Sequence, residues 1–234
     1  MPSARVLSVN VGSAVPSDAT SAPTGTTGID KRPVDRLVVR DPGPKHGGAG
    51  SGVLGDHIGD QRHHGGRTQA VYLFAEEELD HWGTELGRQV APGGFGENVT
   101  TTGIAIDDLE LGTVLGFGPP GGDGAVLTVC GPRIPCRTFA AHMGIAGWVK
   151  RFTQHGRTGV YCAVDRPGQI GQGDAITVLS APGHGVDVVC AFRAFTGDLA
   201  AATRVLEAGA LDPEHHAELA EVVARRTRRP ASAR

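Results

Sequence analysis

The sequence predicts a mainly β fold, short strands closing into a barrel with helices inserted and a small helical piece at the C-terminal end. Three observations carry this. Glycine and proline are abundant, at 36 and 15 of 234 residues, which suits many strands joined by tight turns. Apolar residues alternate with polar ones in short runs at close spacing, the period of half-covered strands. From about Val186 onward the pattern changes to helices. The division this implies is a barrel domain over residues 1–182 and a helical extension over 183–234.

The first strand is read from Leu7, Val9 and Val11 alternating with Val6, Ser8 and Asn10. Residues 13–28 form a Ser/Thr/Pro/Gly loop, and a short strand follows around Arg36–Arg40. Asp41–Gly52 (DPGPKHGGAGSG) reads as a mobile surface excursion. In Gly55–Gly66 small and polar residues dominate, and His63-His64 precede Gly65-Gly66. Two readings stay open there, a solvated turn or a loop whose glycines let the backbone approach a ligand. Adjacent histidines point to opposite sides of an extended chain, so they are not by themselves a metal pair.

Val71–Leu86 reads as one helix, with Leu79, Trp82 and Leu86 on one face and Glu76-Glu77-Glu78 near its start. In Pro92–Gly103, Glu97-Asn98 stands at the mouth of a β-prone threonine run; Asn98 either caps a turn or offers its amide to a ligand. Leu111, Thr113, Leu115 and Phe117 alternate as a strand, Pro119–Gly124 turns, and Ala125–Cys130 is a buried-looking strand. Ile145, Trp148, Val149 and Phe152 define an amphipathic helix ending near Gly156. Val160–Val164 is a strand holding Cys162, Pro167–Gly173 a turn, and Ala175–Leu179 the last strand. Asp212-Pro213-Glu214 is a helix start, and Arg225-Arg226-Thr227-Arg228-Arg229 suits that helix's negative end.

The stretch that promises chemistry is Gly131-Pro132-Arg133-Ile134-Pro135-Cys136-Arg137-Thr138-Phe139. Two prolines stiffen a loop between strand and helix. Its cysteine has Arg133 before it and Arg137 after it, and guanidinium charge favours thiolate, the form that attacks or binds metal. Cys130, Cys162 and Cys190 lack such surroundings and read as core thiols.

Bulk numbers exclude several classes. A net charge of −3 and aromatics at 5% argue against nucleic-acid binding. Three lysines, Lys31, Lys45 and Lys150, leave little room for a Schiff-base site. No run approaches the roughly 20 apolar residues of a membrane span, no secretory h-region follows Met1, and the cysteines show no framework spacing. A cytoplasmic protein with free thiols, binding neither nucleic acid nor membrane, is the expectation. G-x-x-x-x-G-K-[ST], HExxH and G-x-S-x-G are all absent.

Taken together, Gly28–Val34, Gly55-Asp56 through His64-Gly65-Gly66, Phe95-Gly96-Glu97-Asn98, Pro132–Cys136 and Gly156–Tyr161 with Pro167-Gly168 resemble a MOSC domain. The nearest resemblance is to the stand-alone bacterial YiiM type, which reduces 6-hydroxylaminopurine and other N-hydroxylated compounds. It implies a MOSC-type β-barrel binding the molybdenum cofactor (molybdopterin), with the Cys136 thiolate as metal ligand. A soft thiolate suits a metal already held by dithiolene sulfur. The matching cofactor-binding candidates are Lys31, His64, Gly65, Gly66, Asn98, Arg133 and Arg157. Cys136, Asn98 and His64 are the catalytic candidates, the latter two as groups that orient the N–OH.

The implied activity is a molybdenum-dependent oxidoreductase that turns a small N–OH substrate into the amine and water. Its electrons would come from a separate donor protein, since the sequence carries no flavin, haem or iron–sulfur motif. Oligomeric state is left open, with a homodimer as the candidate. Two alternatives stand beside this: a persulfide carrier through Cys136, and a metal-free MOSC barrel turned to binding or to a specialised pathway. Residues 41–53 depart from the family pattern as an insertion, and loops at a barrel mouth commonly set specificity.

Overall fold

In the computed structural model, residues 3–227 are described. The chain runs through β1 (Arg5–Gly12), β2 (Val15–Pro16), β3 (Thr26–Thr27), β4 (Lys31–Val34), β5 (Arg36–Val39), β6 (Val71–Ala75), α1 (Glu76–Leu86) and β7 (Val99–Thr102). It continues through β8 (Val114–Phe117), β9 (Val126–Pro132), α2 (Arg137–Met143), α3 (Trp148–His155), β10 (Val160–Arg166), β11 (Gly168–Gly171) and β12 (Ile176–Ser180). Three helices finish it, α4 (Val188–Thr196), α5 (Leu199–Glu207) and α6 (Pro213–Thr227).

Eight strands form one mixed sheet in the order β12-β8-β9-β10-β6-β7-β1-β4, with β6 and β7 parallel. The expected barrel is corrected here to a curled sheet. Among the described residues its ladder does not close, because β12 and β4 remain edges. The curl brings β1 against the start of β12, where Val6 N–H donates to the Asp174 carbonyl (2.9 Å) and Ile176 N–H to that of Ala4 (3.0 Å). Helix and strand take similar shares, about 29% and 27%, so "mainly β" describes only part of the molecule.

Two hydrophobic clusters organise the packing. Aliphatic residues such as Val9, Leu37, Leu115, Leu127 and Ile170 fill the inside of the curl. Helices α4–α6 add Ala191, Ala202, Val205 and Leu219 to that same cluster rather than building a core of their own. The second cluster is aromatic: Tyr72 and Phe74 of β6 meet Trp82, Phe95, Phe139, Trp148 and Phe152 from α1, α2, α3 and their loops. Seven of the eleven aromatics are thus gathered where the helices seat on the sheet, and Phe139 packs edge-on to Phe152 at 5.0 Å and to Phe95 at 5.3 Å. Such pairs add roughly 0.5–1.5 kcal/mol beyond area burial and fix the start of α2.

Three readings of the sequence are revised. Val71–Ala75 is a strand, and the helix begins only at Glu76. All five strand residues are buried, so covering both faces erased the alternation that would have marked it. Gly168–Gly171 is likewise a strand, paired with β5, where the glycine-rich string reads as a turn. The 41–52 segment packs down instead of projecting: Ala49 N–H bonds to Pro42 (2.8 Å), Gly52 N–H to Ala70 (2.9 Å), and Gly66 N–H to Gly50 (2.9 Å).

Helix signals hold in the C-terminal part. Asp187 and Asp198 cap α4 and α5, and Asp212 accepts from the Glu214 and His215 N–H groups at the start of α6. Arg225 pairs with Glu221; Arg228 and Arg229 lie outside the described residues. No helix among the described residues is long and apolar enough to cross a membrane.

Candidate functional site

Strand β9 ends at Pro132 and α2 begins at Arg137, so the stiff loop between them presents Cys136 at the first end of a helix. A cavity of about 350 Å³ opens there, within the range of small-ligand pockets. Lys31, His64, Gly65, Asn98, Arg133 and Cys136 all line it. Four separate stretches of chain are therefore brought to one place, as the string's glycine- and proline-marked loops suggested.

Cys136 is half-buried. Burial pushes its thiol up, but the His64 imidazole beside it, the Arg133 charge and the Phe139 N–H outweigh this and bring it to about 7. That places the thiol where its thiolate form is accessible near neutral pH. The other cysteines go the opposite way: burial drives Cys130 up to about 11 and also raises Cys162 and Cys190. Arg137 does not act on the sulfur as expected. Its guanidinium reaches back to the Ala19 carbonyl at 3.0 Å.

Arg133 is only 5% exposed, and its Nη1 is buried with no hydrogen-bond partner among the described residues. The guanidinium lies over the Phe139 ring, a cation–π contact that fixes the group while leaving its N–H groups free. An unpaired buried guanidinium is costly, which makes it a ready partner for an anion entering the cavity.

Lys31 is already paired. Its ammonium meets Asp56, and both side chains are buried. Asp56 also accepts from Gly12 N–H (2.8 Å), Ser51 Oγ (3.0 Å) and Asn98 Nδ2 (3.1 Å). The second donor position of the Asn98 amide goes to the Asn10 carbonyl at 3.3 Å, and its oxygen accepts from Tyr72 N–H at 3.2 Å. Asn98 thus ties β1, β6 and the Asp56 loop together, with both amide donors engaged inside the protein. Close approach explains the loop's neighbours: a side chain at Gly28 would put Cβ 2.1 Å from the His57 carbonyl oxygen.

Two expected positions stand elsewhere. Gly66 is not on the cavity wall, and its N–H is taken by Gly50. Gly65 does line the cavity, but its N–H bonds to Gln69 Oε1 at 3.2 Å, and its φ of 84° serves the tight contact with Gly50. The other is Arg157: its guanidinium bonds Glu78 and Asp108, each at 2.9 Å, and does not line the cavity. That turn contributes its backbone instead, with Thr158 and Gly159 N–H bound to buried Asp107.

Residues the string did not single out include Asp56, whose only mark was its place after Gly55, and Tyr161, whose ring packs 5.1 Å from that of Tyr72. Among the described residues no three of His, Cys, Asp and Glu gather as a metal cage. A metal at Cys136 would need its remaining ligands from a cofactor, and a low thiol beside an unpaired buried guanidinium fits an anionic, sulfur-rich one.

Comparison with known proteins agrees with this architecture. The model of the MOSC domain matches residues 60–177. The uncharacterized protein YflK of Bacillus subtilis is 31% identical over 188 residues, 79% of each chain. A protein named Reductase from Gibberella moniliformis is 30% identical over 135 residues, 56% of this chain and 23% of that one. The crystal structure of YiiM from Geobacillus stearothermophilus superposes with a TM-score of 0.71 over 94% of this chain and 99% of its own. At 23% identity that last likeness is one of fold.

Proposed function

The chain belongs to the MOSC domain family, and from that premise we propose that it is a molybdenum-cofactor-dependent oxidoreductase reducing N-hydroxylated compounds. The observation that carries the reading is the pairing of a thiol brought to about 7 with a buried, unpartnered guanidinium on one cavity wall. A relative named Reductase, 30% identical over 135 residues, supports the same class. The overall change is R–NHOH plus two electrons and two protons to R–NH2 and water, with a separate donor protein supplying the electrons.

The chemistry a bound cofactor supplies is two-electron reduction at a metal centre. Cys136 would give its thiolate to that metal. Arg133 would hold an anionic group of the cofactor, which would relieve the unpaired Nη1. His64 stands beside the sulfur on the cavity wall, placed to orient a group bound there by a hydrogen bond. Lys31, Asp56 and Asn98 hold the facing loops at fixed separation, so their work is positional.

The test is elemental analysis and turnover of an N-hydroxylated purine, using protein made in a host that synthesises the cofactor. Wild type should carry molybdenum and reduce the substrate; Cys136→Ala should lose both. A Cys136→Ala protein that keeps its molybdenum and its rate would end this reading. The same low thiol also favours a persulfide carrier. In that case intact mass would show one extra sulfur, removable by reductant, and no dependence on molybdenum.

A further inference from the structure

A second cavity of about 200 Å³ shares the wall of the first: Gln69, Ile134 and Tyr161 line both. The loop runs between them. Cys130, Gly131 and Pro132 face the second cavity, Arg133 and Cys136 the first, and Ile134, 44% exposed, borders each. The far wall comes from the helices: Phe195 of α4, Leu211, and His215 and Glu218 of α6.

The two cavities carry opposite charge. The first holds the unpaired Arg133. Among the described residues no lysine or arginine lines the second, which has the Glu218 carboxylate at its rim and the Asp212–His215 pair behind it. His215 is held at this wall by Asp212, its Nδ1 lying 2.5 Å from Asp212 Oδ2. Burial first, and then the Asp212 and Asp165 carboxylates, push the Cys130 thiol in this wall up to about 11, as a negative surrounding should. Apolar walls from Pro132, Ile134, Phe195 and Leu211, with the Glu218 carboxylate at one end, suit a ring that carries N–H donors.

We propose that this second cavity receives the ring of the N-hydroxylated substrate, an amidine or amino-heterocycle, neutral or cationic, whose N–OH then crosses Ile134 toward Cys136. This rests on the reductase reading for the identity of the reacting group, but the subsite can be tested without metal or turnover. Cofactor-free full-length protein is titrated with benzamidine and, as the like-sized anion, benzoate, by calorimetry. Benzamidine should bind and benzoate should not. Leu211→Trp, which fills the cavity, should abolish binding. Glu218→Gln, a surface change that leaves the packing intact, should weaken it by about fivefold. Equal affinity for the two probes, or benzamidine binding that neither variant alters, overturns the subsite. Absence of molybdenum in the wild type would overturn the reductase reading and leave the benzamidine result standing.

Discussion

The Arg133 guanidinium carbon lies 3.5 Å from the centre of the Phe139 ring. Phe139 is itself locked in the aromatic cluster beneath α1 and α3. One side chain on the first turn of α2 therefore anchors the charge at the other end of the Cys136 loop. The loop is stiffened twice, by its prolines and by this contact, and a thiol held beside a fixed charge needs no rearrangement to ionise.

Removing either of two neighbours should therefore raise the Cys136 thiol. With Arg133→Met, the midpoint of iodoacetamide alkylation against pH should climb from near 7 by about one pH unit, the equivalent of about 1.4 kcal/mol. With His64→Ala it should climb at least as far, because the imidazole is the stronger of the two influences. Cofactor-free protein and peptide mapping identify the labelled residue. An unchanged midpoint in both variants would show that neither group is felt at the sulfur.

The Lys31–Asp56 pair makes a stability prediction. Both side chains are buried, at 7% and 2% exposure, and Asp56 anchors Gly12, Ser51 and Asn98 besides. Lys31→Met leaves a carboxylate in the interior without its counter-charge, which should lower stability by about 3–5 kcal/mol in urea unfolding. A loss below about 1 kcal/mol would mean that the other three donors satisfy Asp56 on their own.

How much of this was legible in the string depended on where each signal lives. Strands with one covered face, such as β1 and β8, announced themselves by alternation, and Asp212 before Pro213 marked the start of α6. Strand β6 did not, because a run buried on both faces looks the same as a helix interior. Cys136 and Arg133 could be found because proline and charge sit within four residues of each other. Asp56 could not, since its lysine is 25 residues away and only folding makes the pair. Arg157 shows the opposite limit: a residue can sit in the right turn while its side chain leaves toward Glu78 and Asp108.

That same turn carries the last prediction. Asp107 is 2% exposed and accepts from Thr158 N–H at 2.8 Å and Gly159 N–H at 2.9 Å. It thereby sets the entry to β10, which delivers Tyr161 to the cavity. Burial raises its carboxyl from 3.8 to about 6, against the pull of those two N–H groups and Arg157. The folded protein thus binds this proton more tightly than the unfolded chain does. Its contribution to stability is full below the unfolded value and is lost as pH rises through about 6. Between pH 4.5 and 7.5 the loss is about 2 kcal/mol. Asp107→Asn keeps an acceptor oxygen for the two N–H groups and cannot ionise, so that loss should vanish. Measured as the difference between variant and wild type in urea unfolding, the variant should gain about 2 kcal/mol on going from the lower pH to the higher. A difference that stays constant across that window would mean that Asp107 is ionised in the folded protein throughout, with its two N–H donors and Arg157 outweighing burial.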